Sequence, residues 1–291
     1  MNILVTGANG QLGTSIRELA AQQKAHRFIF SDVTSLQGRD TVYLDITNPD
    51  AVRLICESEQ VDLIINCAGY TAVDKAEEDQ VFCDLLNHRA PGILAGAAAQ
   101  RGATLIHIST DYVFGGSSPL PIKEDFPPSP SGVYGITKLQ GEMAVQESGC
   151  RFIIIRTAWM YSVHGKNFLK TMRRLTAERP EVKVVFDQAG TPTFAGDLAA
   201  FILHVISSGQ LHKTGIYHYT DEGVCSWYDF ACAICDLSGN KARVLPCHSS
   251  EFPSKVVRPA YSVLDKTRVK ETFGITIPHW YTSLKQLVEQ L

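Results

Sequence analysis

The stretch NILVTGANGQLGTSIRELA, residues 2–20, constrains the fold more than any other part of the chain. A short β-rich apolar run leads into a turn with Gly7, Gly10 and Gly13, and apolar positions at helical spacing follow. Gly7 permits a tight turn, Gly10 lets the backbone approach a pyrophosphate, and Gly13 allows close packing of helix on strand. The helix N-terminus then faces the anion. Three glycines alone prove little, because turns between strand and helix use glycine anyway. Asp32, closing the next apolar run about 20 residues on, adds a carboxylate that accepts from ribose hydroxyls. An acid there favours NAD(H) over NADP(H), since a 2′-phosphate would meet like charge. Nearby chain can compensate, so NADH and NADPH both stay open.

The alternation continues. RFIFSD (27–32), TVYLD (41–45), VDLIIN (61–66), TLIHIST (104–110) and RFIIIRT (151–157) read as strands. Helical patterns separate them: the segment opened by Asn48-Pro49, APGILAGAAAQRG (90–102), and VYGITKLQGEMAVQES from Val133. Continuous apolar runs between helices indicate parallel strands buried on both faces, hence an α/β doubly wound (Rossmann) sheet. Residues 1–158 are expected to form this dinucleotide-binding unit, which also receives elements from 182–210. Residues 159–291 are expected to form mainly a smaller C-terminal α/β unit for the substrate. There NFLKTMRRLTAER and AGDLAAFILHVISSG read as helices, KVVFDQAGTPTF as a strand leaving into a loop, and a Pro-rich passage runs from Phe252 to Pro259.

Bulk properties narrow the function. A net charge of -3 with no basic run gives no reason to expect nucleic acid. No apolar run approaches the roughly 18 residues of a membrane span. The N-terminus enters a strand with no charged leader, so no secretory signal is expected and a cytoplasmic location is. Eight cysteines lie scattered in apolar segments, as buried thiols do in a reducing compartment. Cys232 and Cys235 form a CxxC, but no second spaced pair accompanies them, and the surrounding WYDFACAICDLSG reads as an amphipathic helix. No metal is assigned.

Tyr134 and Lys138 sit one helical turn apart where a helix begins. Taken alone, they read equally well as an ordinary surface pair. A free phenol, with a pKa near 10, is a poor acid at neutrality, and a neighbouring ammonium would pull that value down. The pair gains force from STDYVF (109–114) at the C-terminal end of a predicted strand, where open α/β sheets bind ligands. There Thr110 could hydrogen-bond a substrate carbonyl together with Tyr134.

The glycine motif, NCAGYTAVDKAE (66–77), STDYVF and VYGITKLQGE, in this order, resemble the extended short-chain dehydrogenase/reductase family, and within it the reductases of dTDP-linked 4-keto sugars. RTAWMYS (156–162), GKNFLKTM (165–172), DQAGTPTF (187–194) and VRPAYSVLD (257–265) extend the resemblance through nearly the whole chain. It implies that Tyr134 donates a proton, that Lys138 binds the nicotinamide ribose and lowers the tyrosine pKa, and that Thr110 fills a place where many relatives have serine. It also implies that Asp111 and Trp159 contact the sugar nucleotide. Gly10, Gln11 and Leu12 would line the pyrophosphate; Asp32, Asp45 and Ile46 would lie near the adenosine; Gly69, Tyr70 and Thr71 would follow the cofactor. Asn167, Thr191 and Arg258 are candidates for the diphosphate and base, Arg258 through its bidentate fit to phosphate. Cys67 departs from the family's alanine-rich stretch, though its thiol is small. His107 reads as a packed core residue.

The implied reaction is NADPH- or NADH-dependent reduction of the 4-keto group of dTDP-4-dehydro-L-rhamnose to dTDP-L-rhamnose, with a homodimer admissible. Three other readings stand beside it: a reductase of another nucleotide-linked 4-keto sugar, a non-catalytic regulatory subunit like that of methionine adenosyltransferase, and a dinucleotide-sensing regulator.

Overall fold

The computed structural model describes residues 1–116, 118, 120–252 and 254–291, so Pro253 of the Pro-rich passage lies outside the described residues. The first half runs β1 (Asn2–Thr6), α1 (Gln11–Ala20), β2 (Arg27–Asp32), β3 (Val42–Tyr43), α2 (Pro49–Ser58), β4 (Leu63–Asn66), α3 (Val73–Ala76), α4 (Gln80–Asp84), α5 (Ala90–Arg101), β5 (Thr104–Thr110), α6 (Val133–Glu147) and β6 (Arg151–Thr157). Then come β7 (Met160–Tyr161), α7 (Phe168–Glu178), β8 (Glu181–Val185), β9 (Ala189–Gly190), β10 (Thr193–Phe194), α8 (Ala195–Ser207) and β11 (Gly215–His218). The chain ends with β12 (Cys225–Ser226), α9 (Trp227–Leu237), β13 (Arg243–Cys247), α10 (Thr267–Phe273) and α11 (Trp280–Val288).

Seven strands form one parallel sheet in the order β11-β6-β5-β4-β1-β2-β3. The apolar strands alternate their side chains between two cores. Ile3, Val5, Leu63, Ile65, Ile106 and Ile155 face α1, α8 and α10. Leu4, Ile64, Leu105 and Ile154 face α2 and α5. Each such fully buried side chain contributes about 1.5–3 kcal/mol. Chain order reverses between β1 and β4, so a ligand crevice opens at their C-terminal ends.

The 182–210 segment divides. Helix α8 packs on α1 in the main core, whereas β8 pairs with β13 in a separate parallel pair. Strand β11 and helix α10, beyond that segment, also join the main unit. The second core gathers Leu169, Met172, Phe230, Ile234 and Leu284 from α7, α9 and α11. Ser226 starts α9 with a capping box, exchanging bonds with Asp229.

Two local expectations change. TVYLD keeps only Val42–Tyr43 as strand, because the Asp45 side chain turns the chain by accepting from Thr47 N and Oγ1. The helix expected at 90–102 is the end of a longer run: α4 passes through one π-helical turn, Leu85–Arg89, into α5.

Candidate active site

The cradle forms as the glycines dictate. Gly7 adopts φ +64°, and a Cβ on it would lie 2.6 Å from Ala68 N, so the turn can press against the loop after β4 only without a side chain. A Cβ on Gly13 would stand 2.4 Å from Gly7 O. Gly10 is the N-cap of α1, leaving the helix's first N–H groups free of a side-chain cap. Beside them opens a cleft of about 240 Å³ lined by Gly7, Gly10, Asp32, Asp45, Ile46 and Gly69 among others. Its two carboxylates are already held: Asp32 accepts from Asn9 N, Thr34 N and Thr34 Oγ1, and Asp45 from Thr47. A bare helix N-terminus with glycine walls and a carboxylate at the far end fits a dinucleotide. Leu12 is buried in the core, so only its backbone is available to the cleft.

The loop after β4 is held from below. Asn87, in the π turn, accepts from Tyr70 N at 2.8 Å and donates to Tyr70 O at 3.0 Å, while Gly69 and Thr71 flank it. Asn66, ending β4, accepts from Thr6 Oγ1 and pairs its amide with His107 Nδ1 at 3.1 Å. His107 is fully buried, as read from the sequence.

Tyr134 and Lys138 ride on α6, whose own N-cap, Gly132, has no side chain. Glu77 supplies the missing cap by accepting from Val133 N at 2.9 Å. Lys138, 5% exposed, donates from Nζ to Ile108 O at 2.6 Å. Burial drives its ammonium down to about 8, with Glu142 opposing. The Tyr134 phenol lies beside Thr110, whose hydroxyl donates to Asp111 Oδ1 at 3.0 Å, and meets the Tyr112 ring edge-on at 5.4 Å. Burial pushes that phenol above its ordinary value, with the neighbouring Thr110 hydroxyl opposing. The expectation of an acidified phenol is therefore not met: desolvation outweighs any help from the neighbouring cation, which points at a backbone carbonyl. Asp111, also buried, is pushed up to about 6 by desolvation, against the nearby Ser262 hydroxyl and the bond from Thr110 Oγ1 at 3.0 Å. Its Oδ2 has no partner among the described residues.

Trp159 lies two residues beyond Thr157, the β6 residue in register with Thr110. It holds φ +49°, costly for a bulky residue, and stacks on Trp227 at 3.6 Å and 11°. Gly190 makes room for its ring, since a Cβ there would come within 2.7 Å. The three looser candidates serve the protein itself. Thr191 is fully buried with its hydroxyl on Gly223 O at 2.7 Å. Asn167 caps α7 and holds Gln11. Arg258 pairs with Asp74 at 2.7 Å and lies near the Tyr112 phenol, which brings it beside the Tyr134 group. Asn87, Glu142 and Trp227 also touch this region and were not singled out from sequence. Only Glu142 left a local trace, four residues after Lys138.

A doubly wound parallel sheet, with a glycine cradle at its switch point and Thr110, Tyr134 and Lys138 gathered at the neighbouring strand end, defines a Rossmann-type protein with a built reaction site. The chain belongs to the family described as RmlD substrate binding domain, whose model matches residues 1–291. It is similar to the dTDP-4-dehydrorhamnose reductase of Burkholderia thailandensis, 38% identical over 307 residues that cover 100% of this chain and 99% of that protein. A crystal structure of a dTDP-4-dehydrorhamnose reductase from Clostridium acetobutylicum superposes with a TM-score of 0.92 at 43% identity, covering 100% of this chain and 99% of that one. The enzyme of that name from Bacillus anthracis, solved in complex with NADP, gives 0.91 at 34% identity, with 100% and 99% covered.

Proposed function

We propose that this chain is an NAD(P)H-dependent reductase of a dTDP-linked 4-keto sugar, converting dTDP-4-dehydro-L-rhamnose to dTDP-L-rhamnose. The observation that carries the reading is the Thr110–Tyr134–Lys138 group at the end of β5, beside a cleft shaped for a dinucleotide, in a chain of this family. When bound, the reduced nicotinamide supplies the hydride. Gly7, Gly10 and the N-terminus of α1 would hold the pyrophosphate, and Asp32 and Asp45, which line the same cleft, would take the adenosine.

The chain's own work is positioning and proton transfer. Tyr134 and Thr110 present two hydroxyls to the ketone oxygen. As that oxygen gains negative charge, Tyr134 passes it the phenolic proton, and the C=O becomes CH–OH. A phenol whose burial keeps it protonated is the form able to donate. Lys138 steadies the phenolate left behind, and Trp159 closes the sugar side. Free cysteines at all eight positions and the absence, among the described residues, of a helix long and apolar enough to cross a membrane support a cytoplasmic setting.

The test is to supply enzymatically generated dTDP-4-dehydro-L-rhamnose and follow the absorbance of NADH and NADPH separately. Ketone-dependent oxidation of either supports the reading. Oxidation with a guanosine- or uridine-linked 4-keto sugar but not with the thymidine-linked one moves the substrate assignment.

A further inference from the structure

Behind Tyr134 and Lys138 lies a charged cluster that no solvent reaches. Glu142, one turn beyond Lys138 on α6, is fully buried. Its Oε1 accepts from Ser109 Oγ at 2.5 Å and from Arg156 Nε at 2.9 Å, and its Oε2 accepts from Arg156 Nη2 at 2.7 Å. Arg156, 2% exposed, stands opposite Ser109 in the β5–β6 register. Its Nη1 donates to Glu124 O at 3.3 Å, and its guanidinium lies 5.0 Å from the Phe114 ring centre.

Stability alone gives little reason for such a pair. Desolvating two charges is expensive, and well-packed apolar side chains of similar volume often serve as well. Location supplies a better reason. Ser109 immediately precedes Thr110, so the carboxylate pins the turn that presents the Thr110 hydroxyl. Glu142 and Lys138 share one face of α6 at i, i+4 spacing.

We propose that Glu142, clamped by Arg156 and Ser109, is a positioning residue for proton transfer: its carboxylate keeps Lys138 cationic and fixes the Thr110 turn. This rests on the reductase reading given above. The other groups near Lys138 do not substitute for it. Tyr134 on α6 and Cys83 on α4 carry protons, and His107 on β5 is held neutral by burial and by Lys138 itself. The turn after β5 offers Asp111, which burial pushes towards its protonated form, and the Tyr112 phenol. The π turn presents neutral Asn87, and α5 meets α6 through Pro91 and Gly92. Glu77 is spent on the N-terminus of α6, and Arg156 on β6 stands behind Glu142.

The experiment is the pH profile of kcat/KM for ketone reduction, with thermal melting of each protein, for the natural chain and three variants. Glu142→Gln removes the charge but strands Arg156. Glu142→Leu with Arg156→Met removes both charges of the pair, so that Arg156 is not left stranded. Glu142→Asp keeps the ion pair at a shorter reach. With Glu142 gone, Lys138 loses its proton at lower pH, so the alkaline limb moves towards acid by about one pH unit in the first two variants. Glu142→Asp falls between them and the natural chain. A folded variant lacking Glu142 whose limb stays where the natural chain's lies overturns the inference and leaves the reductase reading intact. A natural chain that oxidises no NAD(P)H with the ketone defeats that reading instead.

Discussion

Asn167 joins the two halves of the molecule at the phosphate cradle: its Oδ1 caps α7 by accepting from Lys170 N at 3.0 Å, while its Nδ2 donates to Gln11 Oε1 at 2.8 Å. The residue sits where the sequence placed a substrate contact, yet it grips the first residue of α1. The same Nδ2 also donates to Ser162 O at 2.7 Å and His164 O at 3.2 Å, and two substitutions separate the cap from these amide bonds. Asn167→Asp keeps an N-cap but has no N–H for Gln11 Oε1 or for the Ser162 and His164 carbonyls, so the KM for NADPH should rise several-fold and melting should fall despite the retained cap. Asn167→Ala loses both, and about 1 kcal/mol of stability with the cap. Equal KM values in the two variants and the natural chain would remove the latch.

Tyr134→Phe keeps the ring that packs edge-on against Tyr112 and removes only the hydroxyl. Turnover should fall by about 10²–10⁴, the usual worth of a positioned acid. The NADPH Kd, measured by fluorescence, should stay within about twofold. Retained turnover would take the proton donor away from Tyr134.

Lys138→Met should be inactive and yet melt higher at neutral pH. Driving a buried ammonium from 10.5 to about 8 costs about 3 kcal/mol at pH 7, and the lost bond to Ile108 O returns part of that. The sign follows from proton binding. Between pH 8 and 10.5 the unfolded chain holds a proton on this lysine that the folded one lacks, so the natural protein gains stability as pH rises through that window. The melting advantage of Lys138→Met, a few °C at pH 7, should therefore shrink as pH approaches 10. An advantage that stays constant with pH would show that Lys138 is not the buried cation described.

Gly10→Ala and Gly13→Ala should fail differently. At Gly13 a methyl meets backbone at 2.4 Å, so the helix must shift and stability drops by about 1–3 kcal/mol. At Gly10 the methyl approaches only Gly7 O, at 3.2 Å, and the fold should survive. It would stand, however, where the pyrophosphate comes closest, weakening NADPH binding at least tenfold. Melting curves beside NADPH titrations separate the two, and unchanged NADPH affinity in Gly10→Ala would move the pyrophosphate elsewhere.

What the sequence made legible was whatever depends on neighbours along the chain. Strands β5 and β6 match their apolar patterns residue for residue and helix α9 fills its pattern to within two residues, because both sheet faces and one helix face had to be apolar. Strand β11 was not legible as part of the main sheet. Its four residues become sheet only by pairing with β6, some 60 positions earlier, from Gly215↔Ile153 onward. That Thr110, Tyr134 and Lys138 come together was legible because they lie at fixed offsets within two short motifs. The group's electrostatics were not: spacing shows that a cation is near a phenol, whereas the phenol's acidity depends on how much water the folded chain excludes. Thr191 looked available in a polar loop, but the hydroxyl goes to Gly223 O, 32 positions away.

The π turn at Leu85–Arg89 makes the helix between β4 and β5 a point where chain length and site geometry are set separately. A π turn holds one residue more than a regular one, and here that surplus carries Asn87 to the backbone of Tyr70. Removing one residue there would let the run close into an unbroken α-helix, because the wider turn already absorbs the extra residue and the flanking turns would keep their buried faces. The fold would absorb that deletion, and the crevice floor would come loose.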